Sequence, residues 1–554
     1  MTPIYVRIRS VVTAAAVLLG STACDKLQHD LLTANIVGTV TPASINNAAA
    51  ADALRVGALG AFNAITGAGQ VWTFSDLATD VWKTADARQQ SGEFDIGLVF
   101  NTDVDLQANY ASLYVAIARS NEAITALRTY MPNPAWGIGQ MYLVKGFAEM
   151  QLAEYFCNGT PLTTIQNGAI VYGTPLSNQQ VFTIAAAHVD SAMALFTATD
   201  ATTAALLSAA KITKGRILVD MGRFSNAATA VAGVATSFAY QNTFALATGD
   251  NGVWNINNNL KRFTVGDSMD ASGVIGNALP FASSGDPRVK VTGTTLGTSP
   301  LGRGNDGSTN LVGQSIWGRS DAINIVSGLD ARLIEAEAAL NASDLAGMTA
   351  ILNTLRLTPP ALSPTYTPAA MAPLAVPASA ALAATLFFRE KAFWTFGRGT
   401  RLGDLRRLMR QYGRTHDAVF PTGVYFKTSA QYVSEANLQI SSLEATNPNV
   451  VLGANSSYCT DRLPLPSTRG PPHELQSYRS SCVDIDAGAD DGRCHLLWRR
   501  VRRWCFDILD YGTGRAVGRE RYVVGLGGGR GADGDFCCRL RLYGIDGSSL
   551  GRIV

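Results

Sequence analysis

The chain has 554 residues, a formal net charge of +2, 16% charged residues and 47% hydrophobic ones. Such a length can bury a large core, and the apolar content excludes a disordered chain. The near-neutral balance lacks the basic field with which nucleic-acid binders gather phosphates, so no nucleic-acid partner is expected.

At the N-terminus, Arg7 and Arg9 precede an apolar stretch from Val11 to Leu19, followed by Gly20-Ser21-Thr22-Ala23-Cys24. This pattern predicts a signal peptide over residues 1–23; its apolar core is too short to span a bilayer, which takes about 20 residues. Small residues directly before a cysteine suit lipoprotein processing, in which the thiol takes a diacylglycerol and becomes the mature N-terminus. Cys24 is therefore the expected lipid anchor, although Ser21 stands where a leucine is usual. Plain secretion with cleavage near Ala23 is the alternative.

Leu54, Ala58, Phe62 and Ile65 recur at helical spacing and predict a first helix over 46–66. Trp72 and Trp82 follow in an early loop, with Asp76 and Asp80 beside them. A clearer helix carries Leu106, Tyr110, Leu113, Ile117, Ile124 and Leu127 until Pro132 and Pro134 stop it, and another runs over 141–156. Two adjacent antiparallel helices are implied. The run from Gly215 to Ala227 has a leucine on one helix, a small turn, an aromatic and a small residue on the next, which is tetratricopeptide-like spacing. A weaker copy passes through Leu333, Ala336, Glu337 and Ala338 to Asp344, Ala346 and Ile351.

Between these pairs, residues 239–327 are rich in Gly, Asn, Ser and Thr, with no sustained period. They predict an irregular, loop-rich insertion of the sort that carries binding residues. Trp254 and Trp317 fall inside it, near Asn255 and Asn257. Trp72, Trp82, Trp254 and Trp317 are the tryptophans least explained by helix packing, so they are the candidate stacking platform. Asp76, Asp80, Asn255 and Asn257 are the candidate hydrogen-bonding neighbours, because sugars bind indole through apolar C–H faces and need polar groups at the edge. Trp136 and Trp394 read as structural by comparison.

After about Pro464 lysine vanishes and Cys482, Cys494, Cys505, Cys537 and Cys538 appear. An Arg/Gly-rich, Cys-scattered stretch without periodicity is what a GC-rich gene yields when read out of frame or past its stop. Residues 465–554 are therefore expected to add no packed domain; a genuine cysteine-rich appendix is the alternative. Between the anchor and this tail only Cys157 and Cys459 remain, and export places them in oxidising surroundings, so a disulfide between them is expected. The five histidines are dispersed, no Cys-x-x-Cys occurs and no nucleophile motif stands out, so no metal, cofactor or catalytic residue is assigned.

The strongest local motif is Arg389-Glu390-Lys391-Ala392-Phe393-Trp394-Thr395-Phe396 followed by Gly399-Thr400-Arg401-Leu402-Gly403-Asp404-Leu405-Arg406-Arg407. It resembles the late signature of SusD/RagB-like nutrient-binding outer-membrane lipoproteins. Other pieces fall in that family's order: Cys24-Asp25; Leu113-Tyr114 with Ile117 and Asn121; Gly159-Thr160-Pro161-Leu162; Ala336-Glu337-Ala338 with Asn353 and Arg356; and Asn447-Pro448-Asn449. Together they span residues 24–462, and one departure is visible, since Arg398 stands where the family usually has a glutamate before Gly399. Arg389, Glu390, Arg401, Asp404 and Arg406 lie at spacings that let them pair across a helical turn, which suits a structural network.

The resemblance implies a mainly α fold, with tetratricopeptide-like helix pairs scaffolding a substrate face over residues 24–464. It also implies a non-enzymatic role: a surface lipoprotein of the outer membrane that binds an oligomeric nutrient, in the first place a glycan, and delivers it to a SusC-type TonB-dependent barrel. A surface-anchored polysaccharide hydrolase and a periplasmic helical-repeat scaffold are the competing readings.

Overall fold

A computed structural model of the chain describes residues 45–452, apart from short breaks at 68–69, 167–168, 246, 248, 294–300 and 434–436, together with two strands within 522–544. The signal peptide, Cys24 and Cys459 lie outside the described residues. The chain divides into two compact units, residues 1–464 and 465–554.

The first unit is built from helix pairs whose starts are written in the sequence as caps. Helix α1 (Ala48–Thr66) begins where the Asn47 side chain accepts from the Ala50 N–H. After α2 (Gln70–Leu77) and α3 (Gln89–Asp95), α4 (Val104–Tyr130) begins where Asp103 accepts from the N–H groups of Asp105 and Leu106. Helix α5 (Trp136–Tyr155) follows, and a Ser177/Gln180 capping box opens α6 (Asn178–Leu195). Asp200 caps α7 (Ala201–Asp220), which α8 (Phe224–Val231) follows. Each cap satisfies backbone donors that no helical carbonyl can reach.

Successive helices pack on one another: α1 on α4, α4 on α5, α5 on α6, and α7 on α8. Glycine sets two of these approaches. A Cβ added at Gly146 would meet Val189 Cγ2 at 2.8 Å, and one at Gly215 would meet Val231 Cγ1 at 2.6 Å, so any larger residue would force the helices apart. The short connections and small residues at the crossings are the tetratricopeptide-like arrangement expected from the sequence.

The insertion leaves this scaffold through the strand Ala239–Asn242 and returns through Ile323–Ser327, and the two pair antiparallel across a bulge. Inside it lie short strands and helical turns. The strand Phe263–Val265 pairs antiparallel with Trp82–Thr84, which ties the insertion to the early segment after α2. The scaffold resumes with α9 (Gly328–Asn341) and α10 (Leu345–Leu357). It ends with α11 (Ala380–Trp394) and α12 (Arg401–Arg410). At the C-terminal side, Leu438 and Tyr155–Cys157 exchange backbone hydrogen bonds, so the chain after α12 returns to the end of α5.

In the second unit, Tyr522–Arg530 and Phe536–Gly544 form an antiparallel two-stranded ladder. Two strands alone are marginally stable in water. Among the described residues no helix is long and apolar enough to cross a membrane, and no group of His, Cys, Asp and Glu could hold a metal ion.

Candidate functional site

The Arg-Glu motif folds into α11, a tight turn and α12, and its charges point into the protein. Glu390 is 3% exposed and holds two arginines from elsewhere in the chain, Arg288 at 2.6 Å and Arg356 at 2.9 Å. Asp404 bonds Lys391 at 2.7 Å and Arg407 at 2.6 Å, while Arg407 reaches on to Glu337. Arg406 donates to the backbone carbonyls of Ala153 and Glu154 at the end of α5. Arg389 alone remains exposed, its guanidinium over the Phe393 ring.

These observations correct the pairing expected within the motif. Glu390 and Arg406 bind partners distant in sequence, and the one hydrogen bond of Arg401 goes to the Thr79 carbonyl at 3.3 Å. A helix flanked on both sides by apolar residues turns its charges toward the core, where only other elements can neutralise them. Arg398, the departure from the family pattern, also has a counter-ion. It grips Asp330 at 2.8 and 3.1 Å and the carbonyls of Asn324 and Ile325. Sequence reasoning missed Arg288, Asp330, Glu154, Arg216 and Asp220; the available signal was a lone charge inside an apolar run, such as Arg216 and Asp220 around Ile217-Leu218-Val219.

Next to this network lie the early residues expected to meet ligand. Trp72 is 1% exposed, Trp82 0% and Trp317 3%. Trp82 packs against Phe396 with ring centroids 5.0 Å apart, and Trp72 covers Gly399, whose φ of 66° and lack of a side chain let the indole approach. The stacking role expected of Trp72, Trp82 and Trp317 is thereby corrected, since no ring face of theirs is open to a sugar.

Asp76 and Asp80 are buried as well. Asp76 accepts from the Gly399 N–H at 3.0 Å, and burial pushes its carboxyl up to about 7 despite that bond and the nearby Arg401. Asp80 accepts from the Tyr432 hydroxyl, and burial raises its carboxyl too, against the pull of Lys83. Asp95 behaves likewise, with Lys83 and the Thr84 N–H opposing burial. Burial lowers Arg401 to about 10 although Asp404, Asp80 and Asp76 surround it. Asn257 is 0% exposed and staples the insertion, donating to the carbonyls of Phe263 and Val312 and accepting from the Gln314 N–H. Asp76, Asp80 and Asn257 therefore serve the fold, not a ligand edge.

Trp254 and Asn255 remain at the surface. Both are partly exposed on a helical turn that runs from Gly252 into Asn255–Asn259. Asn251 builds the turn: its carboxamide oxygen accepts from the N–H groups of Val253 and Trp254, and its nitrogen donates to the Asp321 carbonyl. Arg319 sits over the indole at 5.7 Å and is itself held by Asp250 at 2.7 Å. Asn255 accepts from Asn259, whose side chain is exposed. An indole flanked by a guanidinium and carboxamides offers an apolar face with hydrogen-bonding groups at its rim.

Cys157 is buried and disulfide-bonded; every other cysteine lies outside the residues whose side chains are described, including the expected partner Cys459.

No family profile matches the sequence, and no curated protein matches it. Solved structures do. A SusD superfamily protein from Bacteroides fragilis is 16% identical with a TM-score of 0.53, covering 73% of this chain and 99% of that one. A SusD-like carbohydrate-binding protein from Bacteroides vulgatus is 13% identical with a TM-score of 0.53, covering 76% and 99%. A SusD superfamily protein from Parabacteroides distasonis is 14% identical with a TM-score of 0.50, covering 74% and 99%. Matching nearly the whole length of each of these proteins, the chain has the SusD/RagB-like fold.

Proposed function

We propose that this protein is a non-catalytic glycan-binding lipoprotein of the outer membrane, anchored through Cys24, that hands an oligosaccharide to a SusC-type TonB-dependent barrel. The observation that carries the binding step is the partly exposed Trp254, held by its Asn251 cap beside Arg319 and Asn255, on a fold shared with a protein described as carbohydrate-binding. The lipoprotein-like segment ending at Cys24 supports the anchor, and the ordered motifs from Cys24 to Asn449 support the transporter partnership. A binding role is favoured over hydrolysis because Asp76 and Asp80, whose hold on a proton burial raises most strongly toward the neutral range, are sealed in the core, where no glycosidic oxygen reaches them.

Titrating the full-length protein with a panel of oligosaccharides tests the reading. Saturable binding that Trp254→Ala weakens, with no sugar released from any polysaccharide, is the expected result. A chain that binds no glycan, or one that releases reducing sugar, overturns it. Membrane extraction should co-purify a TonB-dependent barrel, and Cys24→Ala should move the protein into soluble fractions.

A further inference from the structure

Where α5, α7, α9, α11 and α12 meet lies a cavity of about 30 Å³. Its walls are charged: Glu154 from α5, Arg216 and Asp220 from α7, Asp330 from α9, Lys391 from α11, and Asp404 and Arg407 from α12. Arg216 uses one nitrogen, Nη2, to bond both oxygens of Glu154, at 2.9 and 3.0 Å, which leaves Nε and Nη1 over. Asp220 meets Arg407 Nε only at 3.4 Å. Burial and the neighbouring Asp220 charge raise the Glu154 carboxyl, against the pull of Arg216.

We propose that this cavity is an internal hydration site, holding about two ordered waters that join the spare donors of Arg216 to the acceptors of Asp220. The volume suits that number, since each buried water needs roughly 10–15 Å³ of such space and two to four polar partners. The site links α5 and α7 to α12, elements far apart in sequence, through charged groups that line one polar cavity.

The cationic groups around Glu154 and Asp220 pull against burial. Arg216, Arg407, Arg410 and Lys391 attract the ionised form, but burial outweighs them and raises both carboxyls. A carboxyl raised in the folded state lends stability that is complete below its unfolded value and is lost as pH rises through the folded one.

Gly403 supplies the test. A methyl group there would stand 3.5 Å from Glu154 Cβ and Cγ and 3.7 Å from its carboxyl carbon, in ordinary contact and inside the cavity. In a dry cavity Gly403→Ala raises the melting temperature of the full-length protein, because alanine favours the helix and fills space. In a hydrated one it displaces water and lowers that temperature, and the lowering is the expected result. A high-resolution crystal structure should show ordered solvent within hydrogen-bond distance of Arg216 and Asp220; a map without it, or a stabilised Gly403→Ala, overturns the hydration site.

Discussion

Trp254 stands on a turn whose backbone donors are held by Asn251, so removing its ring leaves the turn intact. Trp254→Ala should weaken oligosaccharide binding by about 1–3 kcal/mol in calorimetric titration, with the melting temperature unchanged. An unchanged affinity would take the platform away from this residue. Trp82 should respond in stability instead: Trp82→Ala is expected to cost about 3–5 kcal/mol by denaturant unfolding. Trp82→Phe should cost much less, because the buried indole N–H has no hydrogen-bond partner to lose. The sequence could not separate these two tryptophans. Trp72 and Trp82 sit among threonines, serines and aspartates, which reads as a loop, yet Thr79, Asp80 and Thr84 are all 0% exposed. Trp394, inside an apolar helix, was readable as core. Asn255 and Asn257 differ in burial although they are neighbours on one turn, and only the tertiary partners of Asn257 decide that.

At the level of elements, the helix pairs were readable because their apolar spacing, caps and small residues all agree. The connections between them were not. Glu390 takes Arg288 from 102 residues away and Arg356 from 34 away, and no local spacing encodes either distance. Glu390→Gln leaves those two arginines short of a buried counter-ion, so a loss of about 3–5 kcal/mol is expected in chemical denaturation. A change within the error of the measurement would make the ion pairs incidental. The return of Leu438 to Tyr155 and Cys157 brings the chain that leads toward Cys459 back to the end of α5. Peptide mapping of the oxidised full-length protein should find Cys157 linked to Cys459; a link to any other cysteine refutes the pairing. That bridge would close a loop of roughly 300 residues, for which the chain-entropy account gives about 3–5 kcal/mol, so reduction should lower the melting temperature.

Over the whole molecule, buried acids divide into two sets with opposite pH behaviour. Burial raises Asp76, Asp80, Asp95 and Glu154, so their contribution is complete below about pH 4 and declines as pH climbs through their folded values. Asp306, Asp330 and Asp404 are also pushed up by burial, but hydrogen bonds and cations pull them lower still: Lys427 for Asp306, Arg398 for Asp330, Lys391 and Arg407 for Asp404. Their contribution is present above about pH 4 and lost as pH falls beneath it. Denaturation midpoints should therefore be higher near about pH 5 than near about pH 8, and a profile that rises over this interval would contradict the burial of the first set. Truncation after Pro464 should leave those midpoints in place, since the described part of the second unit is a lone pair of strands. The clasp between Arg398 and Asp330 bears on how such proteins exchange parts. The two positions act as one heritable unit: a chimaera receiving residues 395–410 from a relative with glutamate before the glycine would set two carboxylates face to face, and should regain its yield only when residue 330 travels with the graft.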